Sequence, residues 1–383
     1  MKAVIVGGRL QGVEAAYLAR KAGWETILID KAKDVPAKGL ANTYFQCDAT
    51  DQDEFVQAVG NADLIIPALE DGDALSALVK ASDRIDVPLA YDPEAYRTSS
   101  SKTESNRLFD TLNLPRPLDW PGCGFPVVVK PDGSSGSKGV RIVENKSELS
   151  AAMSHTPGSV IQAFTEGPSF SIEVAGLNGQ ALPLVVTDIH LDPGFDCKRV
   201  TAPTALSPDL VDEFAAMAAK LAEAMRLTGI MDLEAILSQE ELKLLEIDAR
   251  LPSQTPTAVY WSTRINIVEI LGHIFVNNRL PQINSPQKPM TAIYEHLLVA
   301  NGRGLITGEH IMSKAGTLEL RNDFYGADEA LTDYRPGLAQ WRATMIFYGD
   351  SHDQVWARRN EGLSALARDF SLTQILDPGP GEV

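Results

Sequence analysis

The pattern of apolar and polar positions is clearest between residues 229 and 256, where two short apolar runs flank a polar connection at 238–241 and predict a β-hairpin. Side chains alternate across a strand, so Asp232 and Glu234 share one face of the first run, opposite Met231, Leu233 and Ala235. On the second run Glu246, Asp248 and Arg250 alternate with Leu245, Ile247 and Ala249. If the two polar faces coincide, at least three carboxylates and one guanidinium converge. Such a cluster repels itself unless a cation sits within it.

Around this hairpin the chain reads as α/β. An apolar run at 3–6, the glycines Gly7 and Gly8, a helical pattern at 10–22 and a strand at 26–30 open a parallel sheet, continued by a strand at 64–68 and a helix at 74–81. Residues 96–101 are polar and turn-like, a plausible boundary, and a helix at 102–112 follows with Ser100 or Ser101 as its cap. After a Pro/Gly-rich connector come a strand at 127–130, a glycine loop at 132–139, a strand at 140–143, a helix at 146–153 and a strand at 160–163. A helix at 208–226 carries Phe214, Met217, Ala218, Leu221 and Met225 as a core stripe. Further helices are expected at 265–275 and 353–369, strands at 292–299, 316–321 and 341–348, and a frayed tail at 378–383. The expected domains are 1–95, 96–180 and 181–383.

Composition narrows the class. The 383 residues, 44% hydrophobic and 22% charged, suit a multidomain globular protein, with no apolar run long enough to span a bilayer. A net charge of −17 argues against nucleic-acid or anionic-membrane partners and suits a cationic small substrate. Three widely spaced cysteines offer neither a disulfide framework nor zinc spacing, so a cytoplasmic protein is expected. His190, His273 and His296 lack ligand spacing and read as structural, whereas Lys198 and Arg199 could meet phosphate or merely solvent.

Two stretches carry chemistry. Oxygen ligands without His or Cys suit Mg²⁺, which is held by one or two carboxylates together with substrate phosphates. The loop after Lys130, with Ser134, Ser135, Gly136, Ser137 and Gly139, lacks P-loop order but can fold amides and hydroxyls over phosphate, with Lys130 as a point charge. At the N-terminus Gly7, Gly8 and Gly12 do not match G-x-G-x-x-G, although Asp30 stands where a ribose-binding acid would lie and keeps a dinucleotide reading open.

Lys102, Val129-Lys130 with its glycine loop, Glu234, and Glu246-Ile-Asp248-Ala-Arg250 together resemble the ATP-grasp superfamily of carboxylate–amine ligases. The resemblance implies a Rossmann-like pre-ATP-grasp domain followed by a two-lobed ATP-grasp fold, and ATP and Mg²⁺ as cofactors. It implies that Lys102 and Lys130 hold ATP phosphates, that the loop is a lid, and that adenine lies against Gln162, Ala163 and Phe164. Glu234, Glu246 and Asp248 would bind Mg²⁺, Asp248 standing where many members carry Asn, and Arg250 would stabilise the acyl phosphate. Gln162 and Ser169 stand where many members carry Glu, so Ser169, Phe170 and Ser171 are assigned to the substrate pocket instead of the ribose.

Within the superfamily, the opening with Leu10, Gln11 and Gly12 and the run that carries Ser253 resemble a ligase joining two amino acids that each bear a second amine. An ammonium could be received by Asp232 or by Glu70 and Asp71, although an acid pair there would equally suit a helix N-terminus. Ser253 is placed with the substrate-binding residues. The alternatives are another ligase or a carboxylase on the same scaffold, an NAD-dependent oxidoreductase and a non-catalytic ATP-binding regulator. The expected partners are small amino-acid substrates and a second copy of the chain, through apolar stretches after residue 290.

Overall fold

Four parallel strands open the chain. In a computed structural model that describes residues 1–133, 136, 139–156, 158–283 and 289–382, β1 (Lys2–Val6), α1 (Leu10–Lys21), β2 (Glu25–Asp30), β3 (Thr43–Gln46), α2 (Gln52–Val59), β4 (Leu64–Pro67) and α3 (Gly72–Ile85) follow in order. The sheet order is β3-β2-β1-β4, and Val4, Ile29 and Ile65 pack against Phe55 and Leu78 of the covering helices. β3 escaped the apolar pattern because it is a largely exposed edge. The turn after β1 requires its glycines: Gly7 has φ +103°, and a Cβ on Gly12 would lie 2.0 Å from the Gly7 carbonyl oxygen. Asp30 has a structural role in that turn. Its carboxylate accepts the amides of Gly8 and Ala32, each at 2.8 Å, and so braces the same turn.

The chain forms two compact units, one of Met1–Tyr91, His190–Pro203 and Leu251–Val383, the other of Asp92–Ile189 and Thr204–Arg250. The second unit begins with α4 (Pro93–Ser99) and α5 (Lys102–Thr111). Residues 96–99 are therefore helical rather than turn-like, because Asp92 caps the Glu94 and Ala95 amides at 3.1 and 3.0 Å and Pro93 sits in the first turn. Next come β5 (Val127–Pro131), β6 (Arg141–Val143), α6 (Lys146–His155), β7 (Ser159–Ala163), β8 (Ser169–Leu177) and β9 (Gln180–Leu191). After β10 (Cys197–Ala202), which belongs to the first unit, α7 (Pro208–Ala224), β11 (Gly229–Ser238) and β12 (Glu241–Asp248) complete it.

Two antiparallel sheets result, β6-β5-β7 and β12-β11-β8-β9. The expected hairpin is β11–β12. Gln239 and Glu240 turn it with φ +53° and +67°, the backbone hand that matches strand twist. Its apolar face, Met231, Leu233 and Ala235, packs on Phe214, Met217, Ala218 and Leu221 of α7. Burying each large side chain contributes about 1.5–3 kcal/mol, so this layer holds the opposite, polar face in place.

The first unit continues with α8 (Thr255–Thr263), α9 (Ile267–Phe275), β13 (Thr291–Ala300), β14 (Arg303–Ile306), β15 (Glu319–Phe324), β16 (Ala327–Thr332), β17 (Trp341–Gly349), α10 (His352–Asp369) and β18 (Ile375–Leu376). Its strands run in the order β10-β13-β17-β16-β15, with β14 joining β13 to β18. β15 begins three residues later than expected, since Gly316 is held by Asp333 and Leu318 donates to the Pro36 carbonyl. Lys198 and Arg199 do not face bulk solvent: both are buried, Lys198 lying 2.7 Å from Asp377 and Arg199 2.9 Å from Glu295. Arg359 joins both acids, so the segment after β18 is pinned by three cations. His190 and His296 bond Thr201 and Thr344, and burial lowers them to about 4 and about 3, which keeps them neutral and structural. Among the described residues no helix is long and apolar enough to cross a membrane.

Candidate active site

The registers of three neighbouring strands build the polar face. Glu246 on β12 lies opposite Glu234 on β11, which lies opposite Ser171 on β8. Two residues along, Asp248 faces Asp232, which faces Glu173. Directly opposed residues project to the same side of a sheet, so the two polar faces coincide as two adjacent cross-strand rows. Glu173, fully buried in β8, extends the acidic row by a residue that the hairpin pattern alone does not reveal.

Two lysines meet these rows. Lys102 is 7% exposed, and its Nζ lies 2.7 Å from Glu246 Oε1. Ser101 caps the helix that Lys102 begins, by accepting the Glu104 amide. Asp132, two residues beyond Lys130, accepts the Thr103 amide at 2.7 Å and the Ser101 hydroxyl at 2.9 Å. The first turn of α5 is thereby tied to the strand end that carries Lys130, so the two amines are placed by one construction. Desolvation lowers Lys130 from the usual lysine range; Glu246 opposes that shift and Lys102 adds to it.

The carboxylates are electrostatically overcrowded. Partial loss of water and crowding by Glu246 push Glu234 above the usual carboxylate range, although the residue is exposed at the surface of this face. Burial, and then Asp248, push Asp232 well above the carboxylate range, and Asp232 Oδ1 is buried with no hydrogen-bond partner among the described residues. Arg250 donates to Asp248 at 2.8 Å. Carboxylate oxygens on adjacent strands, without imidazole or thiolate beside them, are the donor type that suits a hard divalent cation carried with phosphate.

The remaining expected residues separate by unit. In the second, Gln162 is buried on β7, while the Ala163 and Phe164 amides donate to the carbonyls of Leu118 and Pro126. Gly136 and Gly139 have φ of +62° and +78°, whereas Ser134, Ser135 and Ser137 lie outside the described residues. Ser169, Phe170 and Ser171 start β8; the Phe170 side chain enters the core rather than a substrate pocket, and the buried Ser171 hydroxyl has no hydrogen-bond partner among the described residues. In the first unit, Leu10, Gln11 and Gly12 form the first turn of α1, where Gln11 Nε2 donates to Glu70 at 2.8 Å. Asp71 caps α3 by accepting the Ala74 amide at 3.0 Å, as its helix-start position allows. Ser253 donates to Glu309 at 2.8 Å.

Residues 99–254 match the ATP-grasp domain. The chain is 36% identical over 376 residues to the 3-methyl-D-ornithine–L-lysine ligase of Methanosarcina mazei, covering 96% of this chain and 95% of that one. Solved structures repeat the architecture at low identity. One is the biotin carboxylase domain dimer of 2-oxoglutarate carboxylase from Hydrogenobacter thermophilus, in complex with MgADP (TM-score 0.73, 13% identity, 95% of this chain and 89% of that one). Another is an L-amino acid ligase from Bacillus licheniformis (TM-score 0.68, 16% identity, 99% of each chain).

Proposed function

The chain belongs to the family of the 3-methyl-D-ornithine–L-lysine ligases within the ATP-grasp enzymes, and on that premise we propose that it joins the carboxylate of (3R)-3-methyl-D-ornithine to the ε-amine of L-lysine, a step of pyrrolysine biosynthesis. It is an ATP-dependent carboxylate–amine ligase. The observation that carries the substrate reading is the second acidic row, Asp248–Asp232–Glu173. A divalent cation needs few protein carboxylates, and Asp232, whose buried Oδ1 has no hydrogen-bond partner among the described residues, is the acid of this row that an ammonium group would meet. A substrate with a second amine supplies one.

In this reading Lys102 and Lys130 bind the ATP phosphates, the 132–139 sequence is assigned as their lid, and the adenine rests against Gln162, Ala163 and Phe164. Glu234, Glu246 and Asp248 would hold Mg²⁺, which screens phosphate charge when bound. A carboxylate oxygen of the first amino acid attacks the γ-phosphorus and ADP leaves. The amine nitrogen then attacks the carbonyl carbon, phosphate departs with the C–O bond pair, and the nitrogen loses its proton. Arg250 stabilises the charge that builds on the carbonyl oxygen. Ser169, Ser171 and Ser253 are assigned to the amino-acid substrates, with Gln11 and Glu70 as an amine-recognising pair. A cytoplasmic homodimer completes the proposal, in keeping with three free cysteines and the dimeric carboxylase domain.

The test is ADP release with pairs of amino acids. 3-Methyl-D-ornithine with L-lysine should release ADP and give the amide by mass spectrometry. Turnover that needs neither diamino acid would refute the substrate assignment.

A further inference from the structure

Helix α8 lacks a cap of its own. Gln254, the residue before it, makes no side-chain cap and adopts φ +74°, a conformation that favours glycine. The missing acceptor comes from α1: Glu14, 1% exposed, takes the Thr257 amide at 2.6 Å, and the Gln254 amide also bonds its carboxylate. Glu14 thus holds both sides of the strained residue. It lies three residues after Gln11 on the same helix, so one face of α1 presents Gln11 to Glu70 and Glu14 to α8. The segment that Glu14 secures follows Arg250 directly in sequence and carries Ser253, itself bonded to Glu309. Glu309 is the charged group whose field reaches Glu14.

Burial of an acid this deep is costly, and an Asn or Ser at position 254 would cap the helix more simply. We propose that Glu14 is a positioning residue for ligation, fixing residues 251–257 so that Ser253 and the first turn of α8 meet the amino-acid substrate in one geometry. This rests on the assignment of Ser253 to the substrate. Glu14 touches no reacting atom.

The experiment compares wild type with Glu14→Leu and Glu14→Gln in the full chain, by amide hydrogen exchange over residues 254–258 and by ligation kinetics. Glu14→Leu should speed exchange there roughly 2- to 10-fold, the loss expected for a neutral hydrogen bond. It should raise KM for the amino acids or lower kcat by a similar factor, with KM for ATP unchanged. Glu14→Gln, which keeps one acceptor, should recover part of both effects and remains informative if the leucine variant does not fold. Faster exchange with unaltered amino-acid kinetics would make Glu14 merely structural and overturn the proposal, as would unchanged exchange. Wild type inactive with every diamino acid pair would instead strike the functional reading, leaving exchange to decide whether Glu14 holds the segment.

Discussion

Lys102 Nζ and Glu246 Oε1, 2.7 Å apart, form an ion pair between one residue assigned to phosphate and one assigned to the metal. On the proposed assignments, phosphate would replace Glu246 beside Lys102 and the cation would replace Lys102 beside Glu246. Lys102→Met should therefore weaken ATP by about 10- to 150-fold, the range for losing a charge-assisted hydrogen bond. Calorimetry with ATP and Mg²⁺ reads this, and unchanged affinity would remove Lys102 from the phosphate site. Lys130→Ala should act similarly on ATP and leave amino-acid affinity alone.

The second acidic row predicts a different signature. Asp232→Asn and Glu173→Gln should raise KM for the amino acid by about 10-fold or more, with ATP little affected. They also relieve like-charge crowding, so thermal stability should hold or rise. A loss of ATP binding equal to that of Glu246→Ala would move this row into the metal site.

Why some of this was legible is a matter of range. Strand alternation put Glu234 with Asp232, and Glu246 with Asp248 and Arg250, because each set is local. The two sets face one another only because a bulge between Glu234 and Ala235 shifts the register that the two-residue turn alone would set, and no alternation reports that. Glu173 is brought beside Asp232 by a strand some 60 residues earlier in the chain, and no periodicity reports that register. Lys198 and Arg199 looked like free cations because their partner, Asp377, lies almost at the other end of the sequence. Helix α8 was hidden by Pro256, which is tolerated in a first turn, and by a cap supplied from Glu14. At Asp71 the helix-cap reading holds, while Glu70 accepts from Gln11, a partner that helix-start logic does not report.

Asp377 provides a pH test of the C-terminal clamp. Burial alone would raise its pKa, but Arg199, Lys198 and Arg359 outweigh burial and hold it at about 2, below its ordinary 3.8. A lowered carboxylate contributes stability above its unfolded value and loses it as pH falls through the folded one. Asp377→Asn should thus lower Tm at pH 7, and its deficit against wild type should shrink from pH 4 down to pH 2. A deficit independent of pH would assign the loss to packing rather than charge.

Arg250 separates chemistry from binding. Arg250→Lys keeps a cation beside Asp248 but loses the planar fork. kcat should fall on the order of 100-fold with KM for ATP little changed. A kcat within a few-fold of wild type, at equal stability, would leave Arg250 only neutralising its acidic neighbours.

The central claim is that this acidic face, with its two lysines, carries a carboxylate through an acyl phosphate to an amide. Isotope transfer reads that directly. With both carboxylate oxygens of 3-methyl-D-ornithine labelled as ¹⁸O, ligation to L-lysine should place one ¹⁸O in inorganic phosphate and leave the other in the amide carbonyl, with one ADP formed per amide. Unlabelled phosphate, or label appearing in AMP, would contradict the account.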